Sequence, residues 1–188
     1  MYKRCVTEQS ARRQRELEAG LLTAMKTHQY EDITVSSLSD ELNIPRKSFY
    51  RYFSSKEGAL FALIDHTLMD FTGEFFSTRI TATIETLERY FIFWKRQAPL
   101  LDALRRSGLS GILVQRCIIR AVEEELVSQK LFHQKEKHAQ LYVVNFLVSG
   151  LVSLVLQWHM NNFQETPHEL ALIAADIFTS NLIELASK

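Results

Sequence analysis

The stretch Thr34–Leu60, TVSSLSDELNIPRKSFYRYFSSKEGAL, divides into two short helical segments with a tight turn between them, followed by the start of a third helix. The hydroxyl of Thr34 suits the N-cap of the first helix, where it accepts from a free backbone N–H. Val35, Leu38 and Leu42 follow at helical spacing and predict one buried face. Asn43 falls at the turn, and Asn is among the few non-glycine residues that tolerate a left-handed backbone; Ile44 supplies an apolar plug beneath it. Pro45 fits the first position of the second helix, where its missing N–H is not needed. That helix, Pro45–Tyr52, carries Arg46, Lys47, Ser48, Tyr50, Arg51 and Tyr52 around one core residue, Phe49. No acid occurs between Glu41 and Glu57, so basic and hydroxyl groups are presented alone, as contact with phosphates and base edges requires. Ser54 and Glu57 have the Ser-x-x-Glu spacing of a capping box that opens the third helix. The order of these signals is that of a helix-turn-helix.

Thr34, Val35, Leu38, Ile44, Ser48, Phe49, Tyr50, Tyr52, Phe53, Lys56, Glu57 and Leu60 together resemble the DNA-binding domain of the tetracycline-repressor (TetR) family. That family's signature closes on Tyr-x-x-Phe-x-x-Lys-x-x-Leu, matched here by Tyr50, Phe53, Lys56 and, one residue late, Leu60. Asn43 replaces the usual turn glycine, and Pro45 replaces the small polar residue that usually opens the recognition helix. The resemblance implies a sequence-specific regulator that binds double-stranded DNA at a palindromic operator as a homodimer. It also implies the contacts: Arg46, Lys47 and Ser48 on base edges behind Pro45, Tyr50 on base methyls or backbone, and Thr34, Ser36, Tyr52 and Lys56 on phosphates. Gly150, Trp158 and the run Thr166–Leu170 resemble a C-terminal type found in some TetR-family regulators, including ones similar to activators of dihydroxyacetone kinase genes.

Composition agrees with a two-part soluble protein. The 188 residues are 46% hydrophobic, enough to bury a real core, and the formal net charge is zero. Residues 1–57 hold ten Lys and Arg against eight Asp and Glu, so the small basic excess coincides with the motif. The lead-in Tyr2–Arg15, with Lys3, Arg4, Arg12, Arg13 and Arg15, reads equally as a partly disordered phosphate-seeking arm or as a solvated end. Cys5 and Cys117 are far apart and lack metal-ligand spacing, and Met1–Arg15 lacks the apolar stretch of a signal peptide, so a reducing cytoplasm is expected. Leu141–Trp158 is apolar enough to suggest a membrane span but carries Asn145, Ser149, Ser153 and Gln157 on one stripe. It reads instead as a helix buried on most of its circumference, with no membrane partner.

Period-two alternation is absent, and an all-α fold follows. Helices are expected near 11–28, 35–42, 46–52, 56–76, 83–97, 99–106, 111–127, 138–161 and 167–186. The N-terminal three-helix helix-turn-helix domain takes residues 1–55; a C-terminal helical bundle, 56–188, serves effector sensing and dimerisation. Leu170, Ile173, Ala174, Ile177, Phe178, Leu182 and Leu185 stripe the last helix, so the last two helices are expected to form the dimer interface through Ile173, Ile177, Phe178 and Leu182.

Catalysis has little support. The histidines share no ligand spacing, no glycine-rich phosphate loop occurs, and the acidic run Glu123–Glu125 fans over different helix faces, so neither an enzyme, a metal nor a cofactor is expected. Core filling accounts for the aromatic residues by helical spacing alone, whereas the resemblance implies a cavity for an apolar or aromatic small-molecule effector. Phe91, Trp94, Leu104, Phe146 and Trp158 are its candidate lining. The reading is a regulator, a repressor released by its effector before an activator; the alternative from another class is a helical protein-interaction module that does not bind DNA.

Overall fold

The computed structural model describes residues 2, 3, 5–76, 83–124 and 137–179. They form nine α-helices: α1 (Glu8–Ala24), α2 (Val35–Glu41), α3 (Arg46–Tyr50), α4 (Lys56–Phe76), α5 (Thr83–Arg96), α6 (Ala98–Arg106), α7 (Ser110–Glu123), α8 (Lys137–Met160) and α9 (Pro167–Thr179). A 3₁₀ turn, Tyr30–Asp32, lies between α1 and α2. No strand forms among the described residues, and Tyr2 and Phe53 make an isolated antiparallel bridge. The fold is all-α, as the sequence predicts. The expected ends of the seventh and last helices, Val127 and Ala186, lie outside the described residues.

The chain packs as two units, residues 1–69 with 99–120 and residues 70–98 with 121–188. The motif ends near residue 55, whereas packing adds the first part of α4 and most of α6 and α7 to the N-terminal unit.

In the N-terminal unit, α1 starts where Thr7 Oγ1 accepts the Ser10 N–H at 3.2 Å. Gly20 lets α2 approach: a Cβ there would lie 2.6 Å from Leu42 Cδ2. The core gathers Leu17, Leu21, Leu38, Phe49, Phe53, Leu60 and Ile64, all buried. Three long cations from α4, α6 and α7 turn inward and tie segments distant in sequence. Lys56 Nζ donates to the carbonyls of Tyr30 (2.5 Å), Glu31 (3.2 Å) and Ile33 (2.6 Å). Arg106 donates to the carbonyls of Met25 at 2.9 Å and Lys26 at 2.5 Å, which closes the C-terminal end of α1. Arg116 forms a bidentate pair with buried Asp65, its Nε 2.6 Å from Oδ1, and the Tyr2 hydroxyl donates to the same carboxylate at 2.8 Å. The residues before α1 are therefore strapped to the unit: Lys3 N–H donates to Tyr52 O at 2.9 Å, and Gln14 Nε2 to Lys3 O at 3.1 Å. The start of α4 is capped one residue later than expected, by Ser55 instead of Ser54; Ser55 Oγ accepts from Gly58 N at 3.2 Å, and its bond with Glu57 holds that carboxyl below its usual range.

In the C-terminal unit, α5 packs along α9 and touches α8 through Phe91 and Trp158, whose rings meet edge-on at 5.8 Å. The α8–α9 turn places Asn162 and Phe163 in the left-handed region, φ 54° and 55°. This conformation is disfavoured for a bulky side chain. It persists because Phe163 stacks edge-on against Trp158 at 4.7 Å and its N–H donates to Trp158 O at 2.9 Å. A reciprocal cap opens α9: Glu169 N–H donates to Thr166 Oγ1 at 3.2 Å and Thr166 N–H to Glu169 Oε2 at 2.7 Å.

The structure changes the reading of α8. By length and composition it could cross a membrane, yet only 22% of its most apolar stretch is buried in the chain. Val144, Val152, Val155 and Trp158 face inward, while Leu141, Tyr142, Phe146 and Met160 are exposed. Asn145, Ser153 and Gln157 of the polar stripe are exposed, but so are apolar side chains beside them, and the sequence does not mark how far round the helix its own chain reaches.

Candidate nucleic-acid interface

The turn before α3 is fixed by backbone geometry. Asn43 has φ 50°, and Ile44 N–H reaches back to Ser39 O at 2.9 Å while Asn43 N–H bonds Asp40 O at 3.1 Å. These are the paired bonds of a left-handed C-terminal cap, and they let Asn do what glycine usually does. Pro45 is extended, φ −63° and ψ 139°, and serves as the residue before α3 instead of its first helical residue; its carbonyl accepts the Ser48 N–H at 2.8 Å.

The helix is anchored by Phe49, which is fully buried and packs on Phe53 with ring centroids 5.1 Å apart. With that side turned in, Arg46, Lys47 and Tyr50 are exposed, and Ser48 is half-buried. Arg46 donates to Ser36 Oγ at 3.2 Å, so α2 steadies the first cation of α3. Tyr50 stands edge-on to Phe49, rings perpendicular at 5.7 Å, which fixes its ring direction at the surface. Thr34 and Ser37 form a reciprocal cap on α2, each side chain accepting the other's N–H at 3.0 Å.

Lys56 and Tyr52, both expected on phosphates, are held against the N-terminal unit. Lys56 spends its three donors on three backbone carbonyls and lies over the Tyr30 ring, 4.3 Å from the centroid, which leaves no N–H for a phosphate. Tyr52 is largely buried, its carbonyl accepts the Lys3 N–H, and it borders an open groove beside α3. Arg51, which the sequence reading counts among the basic side chains of this helix without assigning it a contact, borders with Ser48 an open groove shared with Arg12 and Arg13 of α1. The i, i+3 spacing of Ser48 and Arg51 was the available signal.

The five expected effector-lining residues fall in both units. Phe91, Trp94 and Trp158 are buried in the C-terminal unit, Leu104 is buried in the core of the N-terminal unit, and Phe146 is 65% exposed. Trp94 Nε1 is a buried donor with no hydrogen-bond partner among the described residues. Of the expected dimer residues, Ile173 and Ile177 are exposed on α9. The side chain of Phe178 and all of Leu182 lie outside the described residues. Cys5 and Cys117 are free thiols; Cys5 donates to Gln14 Oε1 at 3.1 Å, and burial pushes the Cys117 thiol up to about 12.

No curated protein matches the chain. Residues 112–180 match the family described as the transcriptional regulator C-terminal region of the TetR type. Among solved structures, the fold is similar to that of the fatty acid degradation regulator FadR from Bacillus halodurans, with a TM-score of 0.56, 15% identity, and coverage of 90% of this chain and 95% of that one. It is also similar to a tetR-family transcriptional regulator from Streptomyces coelicolor, with a TM-score of 0.54, 20% identity, and coverage of 88% and 80%. Residues 112–180 thus match a transcriptional regulator C-terminal region, and the all-helical fold with its helix-turn-helix at residues 34–60 is similar to that of a tetR-family regulator.

Proposed function

We propose that the protein is a homodimeric, sequence-specific DNA-binding repressor released by a small-molecule effector. The observation that carries the DNA reading is α3. Phe49 pins one side into the core, and Arg46, Lys47, Ser48 and Tyr50 occupy the side left to solvent, with no acid between Glu41 and Glu57. In this reading Arg46 and Lys47 read base edges in the major groove, Ser48 and Tyr50 add a hydroxyl and a ring, and Thr34 and Ser36 at the start of α2 hold backbone phosphate. Residues 1–55 form the DNA-reading part and residues 56–188 the part that dimerises and senses.

Dimerisation is supported by apolar surface. Tyr142 and Phe146 of α8 and Ile173 and Ile177 of α9 are exposed in the single chain, and a two-fold partner presenting the same faces would cover them. Such a dimer would present two α3 helices to half-sites about 34 to 36 Å apart.

Effector control is supported by Trp94. A buried N–H without a partner costs about 1 to 3 kcal/mol. An acceptor on an apolar or aromatic ligand inserted among Phe91, Trp94 and Trp158 would satisfy it. The signal would travel along α4, whose residues belong to both units.

The test is selection of duplexes from a random library, followed by gel shift. Enrichment of a palindrome whose preference is relaxed at one base position by Arg46→Ala is the expected result. A wild type that enriches nothing leaves the protein-interaction module as the better reading.

A further inference from the structure

An open groove of about 540 Å³ runs beside α3, lined by Ser10, Arg12, Arg13 and Glu16 of α1 and by Ser48 and Arg51. The geometry points to a second phosphate track: this groove takes the sugar-phosphate backbone of the DNA strand outside the base pairs that Arg46 and Lys47 face. The inference rests on the DNA-binding reading and extends it to residues on α1.

Charge is the first reason. Three guanidinium groups border the groove against one carboxylate, Glu16, which Arg12 and Arg13 share at 3.4 and 2.8 Å. The cost of redirecting those arginines is small. All three side chains of this triad are exposed, from 46% to 83%, and solvent-exposed ion pairs contribute little to stability. A phosphate entering the groove therefore meets donors already turned toward one another, at little loss to the fold.

Shape is the second reason. A site for a free small molecule encloses most of its ligand. Here the floor is polar and one side opens to solvent, which suits a chain passing through. Continuity is the third. Ser48 and Arg51 lie one turn apart at the end of α3, so a strand reading against Arg46 and Lys47 meets them without leaving the surface. The α1 side is also held in place: Lys3 is bonded to Tyr52 and to Gln14, and Cys5 to Gln14, so the chain entering α1 is fixed against the end of α3.

The experiment compares wild type with Arg12→Ala/Arg13→Ala and with Arg51→Ala on two duplexes, the selected palindrome alone and the same palindrome with several flanking base pairs on each side. Affinity is measured across a salt series. Each phosphate contact contributes about 0.9 to the slope of log K against log salt. The double variant is expected to lower that slope by about two per protomer, and Arg51→Ala by about one. Flanks should tighten wild-type binding and leave the double variant unaffected, with base preferences unaltered in both. Glu16→Gln should tighten binding to all sequences alike. Thermal unfolding of each variant controls for folding.

If the variants keep the wild-type slope and flank gain while Arg46→Ala still relaxes sequence preference, the groove inference falls and the DNA reading stands. If wild type enriches no duplex, both fall. If inorganic phosphate at matched ionic strength protects the groove's amides while the slopes stay unaltered, the groove is a free-anion site and the inference is overturned.

Discussion

The two units of this chain finish their surfaces differently. Among the described residues of the N-terminal unit, three large apolar side chains are exposed, Val6, Tyr50 and Met69. In the C-terminal unit there are ten, and seven of these lie on α8 or α9: Leu141, Tyr142, Phe146, Met160, Leu172, Ile173 and Ile177. The N-terminal unit instead ties distant segments together with polar side chains, Lys56 and Arg106 on backbone carbonyls and Arg116 on Asp65. A small unit with few layers gains specificity of arrangement from such bonds, because each has one geometry. In the proposed dimer a second copy would cover the faces of α8 and α9 that the described residues of this chain leave exposed. On the proposed function, the first unit would hold a reading helix at a fixed pitch and the second would be completed by association.

The sharpest way to break that comparison is at α9. Ile177→Asp puts a charge where a two-fold interface would have to desolvate it, so the variant should be monomeric or insoluble. A substitution at Met69, exposed in the other unit, should leave the oligomeric state alone. Sedimentation velocity at micromolar concentration decides. A monomeric wild type would remove the contrast altogether.

The next largest effect belongs to the N-terminal unit. Arg116→Ala leaves the Asp65 carboxylate buried without its cation and should cost about 3 to 5 kcal/mol of stability. Replacing both partners together, Asp65→Leu with Arg116→Met, should recover most of that loss, since a buried pair often contributes little beyond its apolar equivalent. Denaturant titration distinguishes these outcomes; equal losses in the single and double variants would show that packing around α4 and α7 dominates.

A third comparison separates cations that hold the unit together from cations that read. Lys56→Met keeps the aliphatic stem and removes three hydrogen bonds, so it should destabilise by about 1 to 3 kcal/mol and leave the salt slope of DNA binding unaltered. Arg46→Ala should do the reverse, costing about 1 to 3 kcal/mol of binding at the preferred site with little change in stability. A salt slope that falls by about one in Lys56→Met would return Lys56 to the phosphate contacts.

Lys56 also shows what could and could not be read from the chain. Helix α4 begins and ends where expected, Lys56–Phe76, because its apolar period is strong. The turn at Asn43 was legible because few residue types can occupy a left-handed position. Where Lys56 points was not legible, since its acceptors are carbonyls of residues 30, 31 and 33, and backbone carbonyls leave no trace in sequence. The 3₁₀ turn that presents them is too short to have a period. The exposure of Tyr52 and Phe146 was not legible for a related reason. A tyrosine near a basic helix and a phenylalanine on an all-apolar helix each fit inside or outside, and only tertiary packing decides. The pocket lining was the least legible, because aromatic residues at helical spacing look the same whether they fill a core or line a cavity.

The smallest effect concerns the strap that closes the N-terminal unit. Tyr2 is held with its hydroxyl on the Asp65 carboxylate, and partial burial, followed by that bond and charge, pushes its pKa from 10.0 up to about 12. A raised pKa means that the folded state favours the protonated phenol. Its contribution is therefore complete below pH 10 and is lost as pH rises from 10 to 12. The Cys117 thiol, buried on α7 and also pushed up to about 12, acts with the same sign, so the measurement needs a Cys117→Ala background. In that background, melting temperature should fall more steeply between pH 10 and 12 for the parent than for Tyr2→Phe, and the variant should be slightly less stable at neutral pH. A difference of one proton in the slope assigns the bond between Tyr2 and Asp65 to the alkaline sensitivity of this unit. Parallel curves would mean that the strap already opens in the native state, and that Lys3 on Tyr52 holds the N-terminus without help from Tyr2.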